Sequence, residues 1–357
     1  MAVALVLFLF GYKKYRRQGP LGSPFTSVAQ VFVAAARKWR VNGTPAGVVV
    51  HSDDKSQHET RTLAHTSQFR CLDKAMIVDD HDASCMTRNP WRLCSQNQVE
   101  QVKLILRLIP EWMCCLMFAV VQSFFQTTFT KQGSTMVQSI GSNFMLPEAS
   151  LQIFVSLTVI VVIPIYDRVF VPTARKFTGQ SSGITILQRI GIGLFLSIIT
   201  MVVSGLVEVK RVSIAREHNL LDNPKTIVPM RVWWLIPQYM VCGLYNAFAL
   251  VGIQEFFFDQ MPEEMRSMGA AAYLSVTGAG NFVSSSIITV MQVIGSKHGE
   301  TWLSDNINRA HLDCFYWVIA ALSTVNFLIY VWIAKRFIYK EFETEGTEKQ
   351  TEPSQSG

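Results

Sequence analysis

The residues able to do chemistry here are few, and most of them interrupt long apolar runs. Glu111 follows Pro110, with Arg107 four residues earlier and so one helical turn away. Gln122 and Gln126 stand four apart, which puts both amides on one face of a helix. Tyr245 and Asn246 lie side by side in a second apolar run, and Asn281 interrupts a third. Asp167 and Arg168, Arg189, and Glu255 with Asp259 sit near the ends of others. An ionisable or amide group in hydrocarbon is costly, so each marks a pathway, a gate or a bond between helices. Glu111 reads as a helix-start carboxylate paired with Arg107, or as a proton carrier if it faces a cavity. Asp167 and Arg168 read as an intracellular gate or as an interfacial pair that sets helix depth. Arg189 reads as a donor to neighbouring loops or helices, and Glu255 as part of a gate or a structural network. Gln122, Gln126, Tyr245, Asn246 and Asn281 line a cavity or bond between helices. No enzyme constellation is visible. No glycine-rich loop precedes a Lys-Ser/Thr pair, and His51, His58, His65 and His81 form no metal-like cluster. The seven cysteines show no zinc spacing. Catalysis, cofactor, metal and nucleic acid are therefore not expected, and the cysteines are expected as free thiols.

The elements that must hold these groups are transmembrane helices. Of the 357 residues 49% are hydrophobic and only 16% charged, against about 25% in soluble domains. Apolar runs of about 20 residues, divided by polar loops, fit a bilayer core. Six are predicted: Leu104–Phe125, Leu151–Phe170, Ile184–Val207, Val232–Phe256, Ala270–Ile294 and Cys314–Ala334. In the fifth, Ala271, Ser275 and Ala279 form a ridge of small residues suited to close helix approach, widened by Gly278, Gly280 and Ser284–Ser286. The expected organisation is the end of a truncated transmembrane helix over 1–11, a cytoplasmic loop with an amphipathic helix over 12–103, the six-helix bundle over 104–338, and a disordered tail over 339–357. In the loop, Ser23 caps a helix that starts at Pro24. Val28, Phe32, Ala35 and Trp39 are its apolar face and Arg37, Lys38 and Arg40 its basic end, suited to the membrane surface or to bracing a partner half. Residues Asn42–Arg61 read as a linker, and the Asn42-Gly-Thr44 sequon as unused because the basic loop is cytoplasmic. Lys210, Arg211, Arg216, Lys225 and Arg231 then fall outside, against the positive-inside tendency.

Several strings resemble the plant nitrate/peptide transporter family, a proton-dependent oligopeptide transporter branch of the major facilitator superfamily. They are Leu63–Ala75, Asn89–Cys94 followed by Val99, Glu100 and Lys103, then Pro164–Pro172, Leu187–Gly193, Ile236–Tyr239, Gln254–Phe257, Gly280–Phe282 and Leu312–Trp317. The resemblance implies an all-α polytopic fold, this chain being the six-helix C-terminal half of a twelve-helix bundle. It implies a secondary transporter of small solutes (nitrate, peptide or related) driven by protons, in the plasma or vacuolar membrane. Its partners would be the lipid bilayer, the solute, protons, and the missing N-terminal half or a full-length homologue. The other reading is a transport-inactive membrane fragment that regulates full-length relatives. Some nitrate carriers of the family place a histidine near Gln122, and peptide-transporting relatives commonly place an acid at Asn246. Neither is present here.

Overall fold

The computed structural model describes residues 2–11, 24–39, 63, 65–77, 89–140, 144–178, 183–221, 226–261, 265–297, 308 and 310–339. The basic cluster after Gly11, Ser23, the linker with its sequon, Cys85 and the C-terminal tail lie outside them. Two compact units are present, one within Met1–Lys103 and one within Leu104–Lys340.

In the first unit, α1 (Ala2–Gly11) is a ten-residue apolar helix with exposed Leu5, Val6, Phe8, Leu9 and Phe10. Helix α2 (Pro24–Arg37) packs on a short helical turn, α3 (Arg70–Asp73), and the tighter turn Lys74–Met76 that continues it. The buried stripe of α2 is Val31, Ala34, Ala35 and Lys38. This corrects two expectations. Phe32 and Trp39 point outward, and Lys38, expected at a solvated basic end, is 1% exposed. Its ammonium is satisfied by donating to the Ile77 carbonyl at 2.5 Å. Lys74 donates to the Trp39 carbonyl, also at 2.5 Å. The unit's hub is ionic. The Lys103 ammonium lies 2.5 Å from Asp73 Oδ1 and 2.8 Å from Glu100 Oε1 and donates to the Thr66 carbonyl at 2.9 Å. Thr66 Oγ1 donates to the second Glu100 oxygen at 2.7 Å, and the Cys94 amide donates to the Ala75 carbonyl. Every residue of this hub belongs to the strings that carried the family resemblance in the loop.

The second unit is the bundle. Its six span-length helical segments are Gln96–Ser134, Glu148–Lys176, Ile186–Glu217, Val232–Gln260, Arg266–Gly295 and Leu312–Ala334, each apolar enough to cross a membrane. Five helices carry most of it: α4 (Gln96–Ser134), α7 (Ile186–Glu217), α8 (Ile236–Gln260), α9 (Arg266–Lys297) and α10 (Leu312–Ala334). The other segment is α5 (Gln152–Ile165), then a wide π-type turn over Tyr166–Phe170, then α6 (Val171–Thr178). Pro164 precedes that turn; it supplies no amide donor, which loosens the local ladder. Most of these helices outrun the apolar stretches that announced them. The start of α7 has a physical cause: Thr185 Oγ1 accepts from the Gln188 amide while Gln188 Oε1 accepts from the Thr185 amide, a reciprocal cap.

Helix α8 is the centre, packed against α5, α7 and α9, while α7 also packs on α10. The close approaches run through glycine. A Cβ on Gly193 of α7 would lie 2.5 Å from the Ala249 nitrogen of α8, and one on Gly243 of α8 would lie 2.6 Å from Thr158 Cβ. On α9 the packed ridge is Val276, Gly280 and Ser284, with Gly280 against Ala119 and Leu116 of α4. The expected ridge is met in part: Gly280 and Ser284 pack, and Ser275, though exposed, accepts from Trp112 Nε1 of α4 at 2.8 Å, while Ala271 is exposed and Gly278 faces open space. Short strands of two to four residues occur in the connections. β1 (Met136–Val137) pairs in parallel with β4 (Val228–Arg231), and β2 (Ser139–Ile140) pairs with β3 (Phe144–Met145) antiparallel. Large apolar side chains stand exposed on α5, α9 and α10, among them Ile153, Ile160, Leu274, Phe282 and Leu328. In water such faces are untenable, so lipid or a further helical segment must cover them.

Candidate functional site

Polar groups occupy three levels of the bundle. At the middle level, Tyr245 is fully buried on α8 and donates its hydroxyl to Gln122 Oε1 of α4 at 2.5 Å. The Phe118 ring packs edge-on against Tyr245, centroids 5.6 Å apart. Asn246, 7% exposed, donates its amide to the Cys242 carbonyl one turn back at 3.0 Å. Its Oδ1 receives no hydrogen bond. Close by, Ser123 of α4 and Ser284 of α9 share a hydrogen bond at 2.6 Å. Gln126 and Asn281 are both exposed, on α4 and α9. The structure thus joins Gln122 with Tyr245 directly, sets Asn246 beside them in sequence on α8, and leaves Gln126 and Asn281 on open faces.

At the end where α4 enters the bundle, Arg189 of α7 meets Glu255 of α8, Nη1 to Oε2 at 3.1 Å. The same guanidinium stacks over the Tyr166 ring at 4.6 Å, so one arginine ties α7, α8 and the π-type turn together. Asp167 and Arg168 lie on that turn with both side chains exposed, and they make no ion pair with each other. Glu111 is 1% exposed, and neither carboxyl oxygen has a hydrogen-bond partner. The expected pairing of Glu111 with Arg107 is therefore not formed. Near Glu111, Asn326 of α10 donates to the Cys114 carbonyl at 3.0 Å and Tyr330 to the Leu187 carbonyl at 2.6 Å. These bonds lock α10 to α4 and α7.

The level at the far end was missed by sequence reasoning. Glu208 and Arg211, just past the expected end of the third span at Val207, continue α7 and are fully buried. Arg211 Nη2 donates to Glu208 Oε1 at 2.7 Å and Nε to Oε2 at 2.9 Å. Nη1 donates to Asn308 Oδ1 at 2.7 Å and to Thr135 Oγ1 at 3.1 Å. Gln132 of α4 donates to Glu208 Oε2 at 2.6 Å and accepts from Gln238 of α8 at 3.1 Å. A fully satisfied fork on a carboxylate tolerates burial where a lone charge does not. The signal was in the sequence, because Ser197, Met201, Ser204, Glu208, Arg211 and Ala215 keep one buried stripe at three- and four-residue spacing. Lys210, next to the pair, stacks over Trp234 at 3.4 Å. Arg211, one of the basic residues that conflicted with the positive-inside tendency, is thus paired inside the protein.

Two groups of metal-ligand side chains come together among the described residues. His65, Asp73 and Glu100 do so in the first unit, but the Lys103 ammonium already stands between the two carboxylates. His311, Asp313 and Cys314 have ligand atoms within 4.8 Å of one another. His311 and Asp313 line a cavity of about 350 Å³ whose wall also carries Arg216, a fixed positive charge that opposes a cation. The described cysteines are free.

The POT family sequence profile matches residues 1–303. Protein NRT1/PTR FAMILY 5.4 of Arabidopsis thaliana is 50% identical over 360 residues, covering 99% of this chain and 65% of its own length. Protein NRT1/PTR FAMILY 5.12 of the same plant is 46% identical over 348 residues, covering 95% of this chain and 58% of its own length. The chain therefore spans under two thirds of these curated relatives. Among solved structures, the POT family transporter PepTSo superposes with a TM-score of 0.57 at 16% identity, over 94% of this chain and 63% of that one. An auto-inhibited POT family peptide transporter superposes with a TM-score of 0.54 at 20% identity, over 69% of this chain and 44% of that one. Both likenesses speak for the fold: an all-α, multi-pass membrane bundle of six spans. With the family profile matched over most of the chain and half of its residues shared with a curated relative, this chain belongs to the POT family.

Proposed function

We propose that this chain is the C-terminal six-helix half of a proton-coupled secondary transporter of small polar solutes such as nitrate or peptides. Gln122, Tyr245 and Asn246 contact the solute, with Gln126 and Asn281 on its path. Family membership supports transport. The observation that carries the site is Asn246 Oδ1, a mid-span acceptor without a donor next to the Tyr245–Gln122 bond. Leaving such an acceptor dry costs about 1–3 kcal/mol, and a solute N–H or O–H arriving there removes that cost. None of the five residues is ionised, so solutes are held by hydrogen bonds at this level. The Arg189–Glu255 pair closes the end of the bundle where α4 enters, and its breakage opens that end during alternating access. Access from two sides requires a second half to rock against this one. With the long basic loop in the cytoplasm, the Arg189–Glu255 end is the cytoplasmic one.

The test is proton-dependent uptake in oocytes with nitrate, dipeptides and plant hormones as solutes. The chain is expressed alone and joined to the segment of the 5.4 relative that precedes the matched region. Uptake is expected from the joined protein, with Asn246→Leu weakening apparent affinity roughly 3- to 10-fold, the worth of one hydrogen bond. Unchanged affinity in Asn246→Leu would remove the site assignment. Uptake by the chain alone would overturn the need for a second half. If the chain only alters uptake by a co-expressed relative, the regulatory reading replaces this one.

A further inference from the structure

Helix α2 is apolar on two faces. One is buried on α3. The other carries Phe25, Ala29, Phe32, Ala36 and Trp39, a repeat of four and three residues that keeps them in one line. Phe25 is 73%, Phe32 43% and Trp39 66% exposed. Trp39 stays in phase because the Lys38 and Trp39 amides still donate to the Ala34 and Ala36 carbonyls. Lys74 then fixes it from the other side, donating to its carbonyl and standing 5.7 Å from its ring. A soluble surface does not display three in-line aromatics unless something covers them.

We infer that this stripe docks α2 onto the surface of a lipid bilayer, with the aromatic rings at the headgroup–acyl boundary. Three observations select lipid over a protein partner. First, α1 in the same unit is apolar all round and carries exposed Leu9 and Phe10 at its end, which in a multi-pass membrane protein places it in hydrocarbon. Second, only the twelve residues 12–23 separate α1 from α2. Even fully extended they reach about 40 Å, so α2 is tethered within that distance of the end of α1. Third, the charge matches anionic headgroups. Lys13, Lys14, Arg16 and Arg17 precede the helix and Arg40 follows it in sequence, and Arg37 at its end is exposed. Phe and Trp on one side with basic residues beside them is the composition of an interfacial helix. Because Lys38 is turned inward to Ile77, the stripe is left free of charge.

The test uses the full chain purified and reconstituted in bilayers of phosphatidylcholine and phosphatidylserine. The photoreactive residue p-benzoylphenylalanine replaces Phe25, Phe32 or Trp39 in turn, and Val31 on the buried face as control. After irradiation, mass spectrometry reads what each position captured. Lipid adducts at the three stripe positions, with cross-links within the chain alone at Val31, are expected. Adducts to a second copy, or to peptides of the same chain, at the stripe positions would overturn the inference, because protein would then cover the face. No adduct of any kind at the stripe would overturn it too, because the face would be in water.

Discussion

Replacing Arg211 with methionine is the sharpest test of how the bundle's far end is held. The guanidinium gives two hydrogen bonds to Glu208, one to Asn308 and one to Thr135, all from a fully buried position. Methionine keeps most of the side-chain volume and removes all four. Glu208 is left buried with the Gln132 amide as its donor. Breaking a buried pair by deleting one partner costs about 3–5 kcal/mol. At about 2–4 °C per kcal/mol for a fold of this size, the midpoint falls by roughly 6–20 °C. The assay is thermal unfolding of the purified chain in detergent, followed by size-exclusion chromatography after heating. The double variant Glu208→Leu with Arg211→Met separates charge from packing. It removes both charges, and apolar replacement of a whole buried pair is close to neutral. It should recover most of the loss, short of about 1–3 kcal/mol for the partners left without donors or acceptors. A single variant within about 1 kcal/mol of the parent would refute the reasoning. So would a double variant as unstable as the sum of both singles, because the two residues would then not be acting as a pair.

Three further outcomes follow from the packing. Glu111→Leu should raise thermal stability by about 1–3 kcal/mol, since it takes away a buried carboxyl with no partner and puts no polar group in its place; a lower midpoint in the same heating assay would mean the carboxyl makes a stabilising interaction. Gly193→Val should lower the expressed, monodisperse fraction and cost about 1–3 kcal/mol or more, because its Cβ meets the Ala249 backbone. Gly278→Ala, facing open space, is the control that should leave that fraction unchanged. Lys103→Met should cost the first unit about 3–5 kcal/mol by leaving Asp73 and Glu100 without their shared ammonium. Limited proteolysis should then cut around residues 65–77 faster, and an unchanged cleavage rate would count against the hub.

What could be read beforehand divides along a physical line. The six spans were legible because hydrocarbon thickness sets a length and leaves little room for charge. That rule sees composition, so it stopped the third span at Val207. The helix runs on to Glu217 because Glu208 and Arg211 cancel each other's charge inside the protein. A pair of opposite charges three residues apart on a continuing buried stripe is read as a loop only while each charge is counted alone. Periodicity has the matching weakness. It gives the faces of a helix but not the neighbour each face will meet. On α2 both faces are apolar, and the true inner face, Val31, Ala34 and Ala35, is the less bulky one because small residues let α3 approach. On α9 the same ambiguity hid Val276, which joins the expected Gly280 and Ser284 in the packed line, while Ala271 and Gly278 stay open. The resemblance strings held information that composition did not. Thr66 and Asp73, from a separate stretch of the chain, join Glu100 on the Lys103 ammonium. The mid-span residues stand between these cases. Spacing put Gln122 and Gln126 on one face of α4, yet only Gln122 meets Tyr245. One turn further on, α8 offers Gln126 no partner. A shared face is necessary for a shared site, and the neighbouring helix decides which member of the pair belongs to it.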